Sequence, residues 1–166
     1  MKSLWTWILP APLPPMILDI GCDAGDLPSP GTIIHQEAQD PWPEALFDLI
    51  LAQDTPQLSL RSCHSKLRPG GRLMVLYSGR YPALKKRLFA SGFVKIRAYA
   101  PLPNFHHACY LVSLSDCAPL SCILRNALDI RHPWLSLIMN HPAVSGLAAR
   151  AAPWLLNDFI VEGLRE

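Results

Sequence analysis

Three short apolar runs, separated by long connections, set the strongest limit on how this chain of 166 residues folds. They lie at 16–20, 46–52 and 72–78, and their length and branched apolar side chains are typical of buried strands. Neighbouring parallel strands need a crossover of about a dozen residues or more, and both connections exceed that length. The sequence therefore predicts that the three runs are neighbouring central strands of a mainly parallel sheet.

Helical and extended patterns alternate along the rest of residues 16–118. Weaker strand patterns lie at 32–36, 93–99 and 109–114. A helix is predicted over 57–67, stopped by Pro69-Gly70-Gly71, and another begins at Pro82. Alternating strands and helices predict an α/β fold with helices on the faces of the sheet.

We divide the chain into an apolar, proline-rich leader (1–15), an α/β core (16–118) and a helical cap (119–166) that ends in a strand pattern at 158–164. Four prolines between positions 10 and 15 interrupt the leader, which argues against a transmembrane segment and against a signal peptide. The five cysteines are irregularly spaced and form no C-x2-C pair. We therefore expect reduced thiols, no metal site and a cytoplasmic protein.

Charge is distributed unevenly along the sequence. Residues 1–54 contain eight acidic residues and one base, whereas residues 55–115 contain ten bases and no acidic residue. Such separation favours charged partners, although Lys85, Lys86 and Arg87 are explained most simply as the solvated face of a helix. The basic segment has no recognised nucleic-acid motif and no regular alternation of aromatic and basic residues, which argues against a nucleic-acid partner.

Three segments, in this order along the chain, resemble the class I S-adenosylmethionine-dependent methyltransferases. Residues 17–25 (ILDIGCDAG) are similar to the strand and glycine loop of that family. Residues 37–43 (EAQDPWP), which lead into 47–52 (FDLILA), resemble its adenine-contacting loop and fourth strand, and 67–73 (LRPGGRL) resemble the turn before its fifth strand. The resemblance implies a Rossmann-like methyltransferase sheet, shortened in the region of the second and third strands, with a helical cap.

The resemblance also implies a site for the cofactor S-adenosyl-L-methionine. Asp19 would engage the methionyl ammonium group, and Gly21 and Gly25 would form the loop around it. Glu37 or Asp40 would lie near the adenine.

The sulfonium and ammonium groups of this cofactor favour acidic surroundings. The first third of the chain is acidic, and its last acidic residue, Asp54, is a further candidate for the cofactor site. A simpler interpretation of the same residues is that Asp19 caps a turn and that the glycines serve only the turn.

Two departures from the family pattern favour a protein that has lost cofactor binding. Asp23 stands where the family has a further glycine, and a side chain there obstructs close approach of the backbone. Only 22 positions separate Gly25 from Phe47, fewer than the roughly 30 residues of a βαβ unit. We therefore expect at most one strand there, at an edge, and no long helix. The second strand of the family, whose terminal acid holds the ribose hydroxyls, is expected to be missing.

His106 and His107 are the candidate catalytic residues, because an imidazole can act as general base on a hydroxyl or an amine. In a strand they would point to opposite faces and could not share a metal, and an exposed loop pair is the simpler interpretation. Cys63 and His64 are adjacent on a helix and diverge by about 100°, which argues against a catalytic thiol–imidazole pair.

Two functions follow from these features, and both stay open. One is methyl transfer from S-adenosyl-L-methionine to a small or lipid-linked acceptor, which mainly requires the reacting groups to be held in line. The other is a non-catalytic, methyltransferase-like subunit for binding or assembly. We expect residues 120–156 to cover an apolar face. Their apolar side chains, including Trp134 and Leu137, fit a core, a substrate lid, a peripheral membrane surface or a contact with a protein partner.

Overall fold

The computed structural model describes residues 13–22, 32–35, 43–102, 110–114 and 156–166, together with the single positions Leu9, His141, Val144, Leu147 and Ala151. In chain order the elements are β1 (Met16–Ile20), β2 (Thr32–His35), β3 (Phe47–Gln53), α1 (Leu60–Lys66), β4 (Leu67–Ser78), α2 (Tyr81–Ala90), β5 (Val94–Leu102), β6 (Tyr110–Ser113) and β7 (Asp158–Leu164). The last strand occupies the residues whose pattern predicts one.

The seven strands form one mixed sheet in the order β2-β1-β3-β4-β7-β5-β6. The strands β2, β1, β3 and β4 are parallel, and β7 lies antiparallel between β4 and β5. Leu18 pairs with Ile50, which in turn pairs with Leu73. The prediction that the three apolar runs are neighbouring parallel strands is therefore confirmed, and the sheet is Rossmann-like.

The segment between Gly25 and Phe47 has one regular element in its described part. This is β2, which lies at the edge of the sheet and pairs in parallel with β1. The prediction of a single edge strand agrees with this placement. Positions 43–46 form a turn before β3, and residues 23–31 and 36–42, which include Asp23 and Gly25, lie outside the described residues.

The boundary between α1 and β4 differs from the sequence-based expectation. The helix ends at Lys66, and Pro69-Gly70-Gly71 lie inside β4 instead of stopping a helix. They occupy a β-bulge, because Phe47 pairs with Leu67 whereas Leu49 already pairs with Arg72. Gly70 has a φ of +80°, a left-handed conformation that glycine adopts without strain.

Both described helices pack on one face of the sheet, which we call the helix-covered face. Leu60 and Cys63 of α1 and Leu84 and Leu88 of α2 are buried in its core. Each helix buries residues three or four apart, which is the spacing of one helical side. No helix in the described part of the chain is long and apolar enough to cross a bilayer.

The other side of the sheet, which we call the opposite face, has its own buried cluster. Its members are Ile17, Leu49, Leu51, Met74 and Ile160. Leu9 and Leu13, from the predicted leader, pack against this cluster. Most of the predicted helical cap lies outside the described residues, so the expectation that 120–156 cover an apolar face stays a prediction.

Candidate functional site

The carboxyl ends of β1 and β3 lie side by side, and the turn after β1 is held by an acidic side chain. Asp19 is only 1% exposed, and one of its carboxylate oxygens, Oδ1, accepts a hydrogen bond from the Cys22 N–H at 2.9 Å. Ile20, the last residue of β1, pairs with Ala52. In open α/β sheets this edge is where ligands bind, so Asp19 stands at the position expected of a ligand-binding carboxylate.

Gly21 gives the turn its shape. Its φ of +72° is left-handed, a conformation that disfavours a side chain. No described atom lies within 4 Å of the point where a Cβ would stand. The backbone is therefore open at this point, as close approach of a ligand to the turn requires.

Cys22 is the last described residue of the turn, and its thiol is unreactive. Burial, and after it the Asp19 carboxylate, raises the pKa of the Cys22 thiol well above its usual range. A thiol that stays protonated is a poor nucleophile and a poor metal ligand. Among the described residues no group of three or more His, Cys, Asp or Glu side chains could hold a metal ion.

Asp54 follows β3 at the same edge, but its carboxylate is engaged by a cation. Arg87 of α2 donates from Nη1 to Oδ2 and from Nη2 to Oδ1, both at 3.2 Å. The Asp54 N–H also donates to the Leu76 carbonyl of β4 at 2.9 Å. The structure therefore places Asp54 beside the turn of β1 as part of a two-pronged ion pair. Lys85, Lys86 and Arg87 are all exposed, as expected of a solvated helix face, and Arg87 in addition binds Asp54.

A cavity of about 170 Å³ lies at the other end of the strands. It is lined by Pro14, Asp48, Leu49, Gly70, Arg72, Met74 and Glu162. Its charged groups pair with protein partners, since Arg72 binds Glu162 at 3.1 Å and Asp48 binds Arg68 at 3.2 Å. Asp48 also accepts a hydrogen bond from the Met16 N–H at the start of β1. These residues tie strands together at the amino ends, away from the turn after β1.

The remaining predicted site residues lie outside the described part of the chain. They are Gly25, Glu37 and Asp40, proposed for the cofactor, and His106 and His107, proposed for catalysis. Asp19, Gly21 and Asp54 are the three that the structure brings to one edge. Sequence reasoning missed Arg87, because its partner Asp54 lies 33 positions earlier and no local pattern marks the pair.

No protein-family model matches this chain, and no curated protein matches it. Among solved structures it is similar to a SAM-dependent methyltransferase of Thermotoga maritima, with 12% identity and a TM-score of 0.51, over 97% of this chain and 86% of that one. It is also similar to the cyclase SpnF, with 14% identity and a TM-score of 0.45, over 90% of this chain and 73% of that one.

A further similar structure is phosphoethanolamine N-methyltransferase 2 of Haemonchus contortus in complex with S-adenosyl-L-methionine. It has 12% identity and a TM-score of 0.48, and the match covers 90% of this chain but 48% of that enzyme. The likeness to the Thermotoga protein shows that this chain has the fold of the SAM-dependent methyltransferases.

Proposed function

We propose that this chain is an S-adenosyl-L-methionine-dependent methyltransferase that acts on a small or lipid-linked acceptor. The observation that carries the proposal is the turn after β1, where a buried carboxylate and a left-handed glycine meet at the carboxyl edge of a methyltransferase-like sheet. A buried carboxylate is costly unless it is hydrogen-bonded or paired. Its position at the ligand-binding edge of the sheet supports a role in binding.

The residues at this edge fit a cofactor that is positively charged at one end. An ammonium group donates charge-assisted hydrogen bonds to a carboxylate, and Asp19 is the buried carboxylate of this turn. Gly21 allows a ligand to approach the backbone. Asp19 and Gly21 would therefore hold the methionyl end of the cofactor, which supplies an electrophilic methyl group when bound.

Glu37 is our candidate for the acid that holds the ribose hydroxyls. The strand β2 ends at His35 and lies next to β1 in parallel, so its carboxyl end belongs to the same edge as Asp19. Glu37 follows two positions later in the sequence. This assignment moves Glu37 from the adenine to the ribose, and it replaces the expectation that the second strand with its terminal acid is missing.

His106 and His107 are proposed as the groups that remove a proton from the acceptor. A general base raises the rate by typically about 100- to 10,000-fold when it is held within hydrogen-bond reach of the acceptor proton. The chain itself would contribute mainly by orienting the two reactants and excluding water.

One observation favours the second candidate, a non-catalytic binding or assembly subunit. The Asp54 carboxylate already has a cation at 3.2 Å through two hydrogen bonds. A ligand cation that used Asp54 would have to compete with the Arg87 guanidinium, which stays charged at any working pH. A protein that no longer binds the cofactor could keep such a pair for stability alone.

Calorimetric titration with S-adenosyl-L-methionine and S-adenosylhomocysteine tests the proposal. We expect binding to the wild-type protein and a loss of about 1–3 kcal/mol of binding free energy in Asp19→Asn. Asparagine keeps an oxygen for the Cys22 N–H and removes the charge, so the turn is conserved. Glu44→Gln is the matched control, because Glu44 is exposed in the turn before β3 and is remote from the edge.

Absence of heat with either ligand, from a folded wild-type protein, contradicts the proposal. Binding without transfer of a labelled methyl group to any amine, hydroxyl or lipid acceptor supports the non-catalytic subunit instead.

A further inference from the structure

The outer surface of α2 has an exposed aromatic side chain. Phe89 is 65% exposed, whereas Leu84 and Leu88 of the same helix are completely buried. In the described part of the chain, Leu147 is the other large apolar residue with comparable exposure. Leu84 and Leu88 already fill the contact between α2 and the sheet, so packing does not explain an aromatic side chain on the outer side.

Two lysines flank Phe89 on this surface. Lys85 and Lys86 precede it by four and three positions, which places them beside it on the helix. Both are exposed, and neither forms an ion pair with any residue that the structure describes. We call Lys85, Lys86 and Phe89 the α2 patch.

The positive charge of the patch is not balanced by nearby sequence. Residues 55–115 contain no acidic residue. Among the described residues, the acidic side chains form ion pairs with three arginines, Arg68, Arg72 and Arg87. The lysines of α2 have no such ion pair. An unmatched positive surface favours an anionic partner.

The side chains of the patch select among anionic partners. Other exposed positions on the outer side of α2, such as Ala83 and Ala90, have small side chains. The patch therefore combines one exposed aromatic ring with two ammonium groups that have no ion pair among the described residues. A bilayer matches this pattern, because it presents anionic headgroups at its surface and apolar chains just below them.

We propose that the α2 patch is a docking surface for an anionic lipid bilayer, on which Phe89 enters the headgroup boundary and the two lysines bind acidic headgroups. This function is separate from cofactor binding and needs no residue of the edge after β1. The affinity is modest, because each lysine adds about a fivefold gain in partitioning. Docking of this strength is reversible and sensitive to salt.

Flotation of the full chain with lipid vesicles tests the proposal. The probes are vesicles of phosphatidylcholine alone and of phosphatidylcholine with 30% phosphatidylserine, a composition on the order of a strongly anionic leaflet. We expect binding to the anionic vesicles, and weaker binding to neutral vesicles or in high salt. Lys85→Gln with Lys86→Gln lowers partitioning about 25-fold, and Phe89→Ala lowers it about tenfold.

Arg97→Gln is the matched control. Arg97 is exposed, and Glu162 is its partner in the register of β5 and β7. The residues two positions away, Tyr99 and Ile160, belong to the opposite face. The substitution therefore removes a charge on the side of the sheet away from α2. Its partitioning should change less than twofold. Thermal midpoints of all variants should equal that of the wild type, since the three patch residues are exposed and alanine and glutamine are good helix formers.

Three outcomes overturn the proposal. The wild-type protein fails to float with anionic vesicles; or the patch variants float as well as the wild type; or Arg97→Gln reduces flotation as strongly as the patch variants. A single-stranded oligonucleotide is titrated in parallel. If it binds through the same lysines while vesicles do not bind, the patch is a nucleic-acid surface.

Discussion

His64 belongs to α1 and contacts the turn that precedes β5. Its ring meets Phe93 edge to face with centroids 5.0 Å apart, and a Cβ at Gly92 would stand 3.1 Å from its Nε2. Burial, and next the Arg165 guanidinium, lowers the pKa of His64, while a hydrogen bond with the Gly92 backbone acts in the other direction. Its neighbour Cys63 is buried, which raises the pKa of that thiol to about 11. The two side chains are not an activated pair.

The lowered pKa of His64 predicts a loss of stability in mild acid. Below the ordinary value of 6.5 the unfolded chain binds a proton at this residue more readily than the folded protein does. The free energy of unfolding therefore falls as the pH drops through 6.5, and this contribution is fully present above it. Urea denaturation at several pH values between 8 and about 5 measures the effect.

His64→Gln serves as the comparison, because it removes the titrating group and keeps a polar side chain beside Gly92. The slope of unfolding free energy against pH should be smaller in this variant. Equal slopes in both proteins would rule out His64 as a source of the pH dependence.

The end of helix α1 depends on an arginine far away in the sequence. Arg165 Nη1 donates to the carbonyls of His64 at 2.9 Å and Ser65 at 2.8 Å, and also to that of Leu67. The Arg165 backbone forms two hydrogen bonds with the bulge of β4, through Gly70 and Gly71. A cation at a helix C-terminus satisfies carbonyls that lack partners and interacts favourably with the helix dipole.

Arg165→Ala should therefore destabilise the protein by about 2 kcal/mol, because it leaves part-buried carbonyls without their donor. Chemical denaturation measures the change. Arg61→Ala is the control, since Arg61 is an exposed cation on the same helix and surface changes stay within about 0.5 kcal/mol. If both variants lose the same stability, the contact of Arg165 with α1 is not stabilising.

At the scale of the whole molecule, β7 joins two parts of the sheet that do not otherwise pair. It pairs with β4 from Arg72 to Ser78 on one side and with β5 on the other. Phe159, Ile160 and Val161 at its centre are completely buried. Because β5 and β6 pair with the remaining strands only through β7, the sheet is incomplete without residues 158–164.

A chain ended after Asn157 should fail to fold cooperatively, since it loses the buried strand and exposes the edges of β4 and β5. Circular dichroism and thermal unfolding measure this loss. A chain ended after Leu164 keeps β7 and lacks Arg165, so it should fold with reduced stability. A cooperative transition in the shorter chain, at the wild-type midpoint, would contradict the structural role of β7.

The sequence predicts the parallel strands at the centre of this fold. It does not predict the bulge in β4 or the insertion of β7 between β4 and β5. Short apolar runs predict β1, β3 and β4, because burial on both faces of a strand leaves a local pattern. The bulge at Pro69-Gly70-Gly71 looks like a helix stop, since glycine and proline mark both features. The insertion of β7 has no local signature at all, because residues distant in sequence decide which strand pairs with it.

The candidate site also combines residues that a local sequence pattern predicts with residues that it does not. Asp19 and Gly21 can be predicted because the strand, acid and glycine are contiguous in sequence. The partner of Asp54 cannot, because Arg87 comes from a different element and reaches the carboxylate only after α2 has packed on the sheet. Prediction of a charged site therefore needs the cations of neighbouring elements as well as its own acids.

Because β7 is the last strand along the chain, the ribosome makes β4 and β5 well before the strand that pairs with both. Translation adds about 5–20 residues per second, so about 3–11 seconds pass between completion of β5 and the first residue of β7. Until β7 has been made and has inserted, β4 and β5 lack their common partner, and each has an unpaired edge once it has left the ribosome. A ribosome that stalls within residues 115–157 releases a product with the same two open edges. A product that lacks β7 therefore differs from one that contains it by two open strand edges, which is the difference that a chaperone for exposed edges would detect.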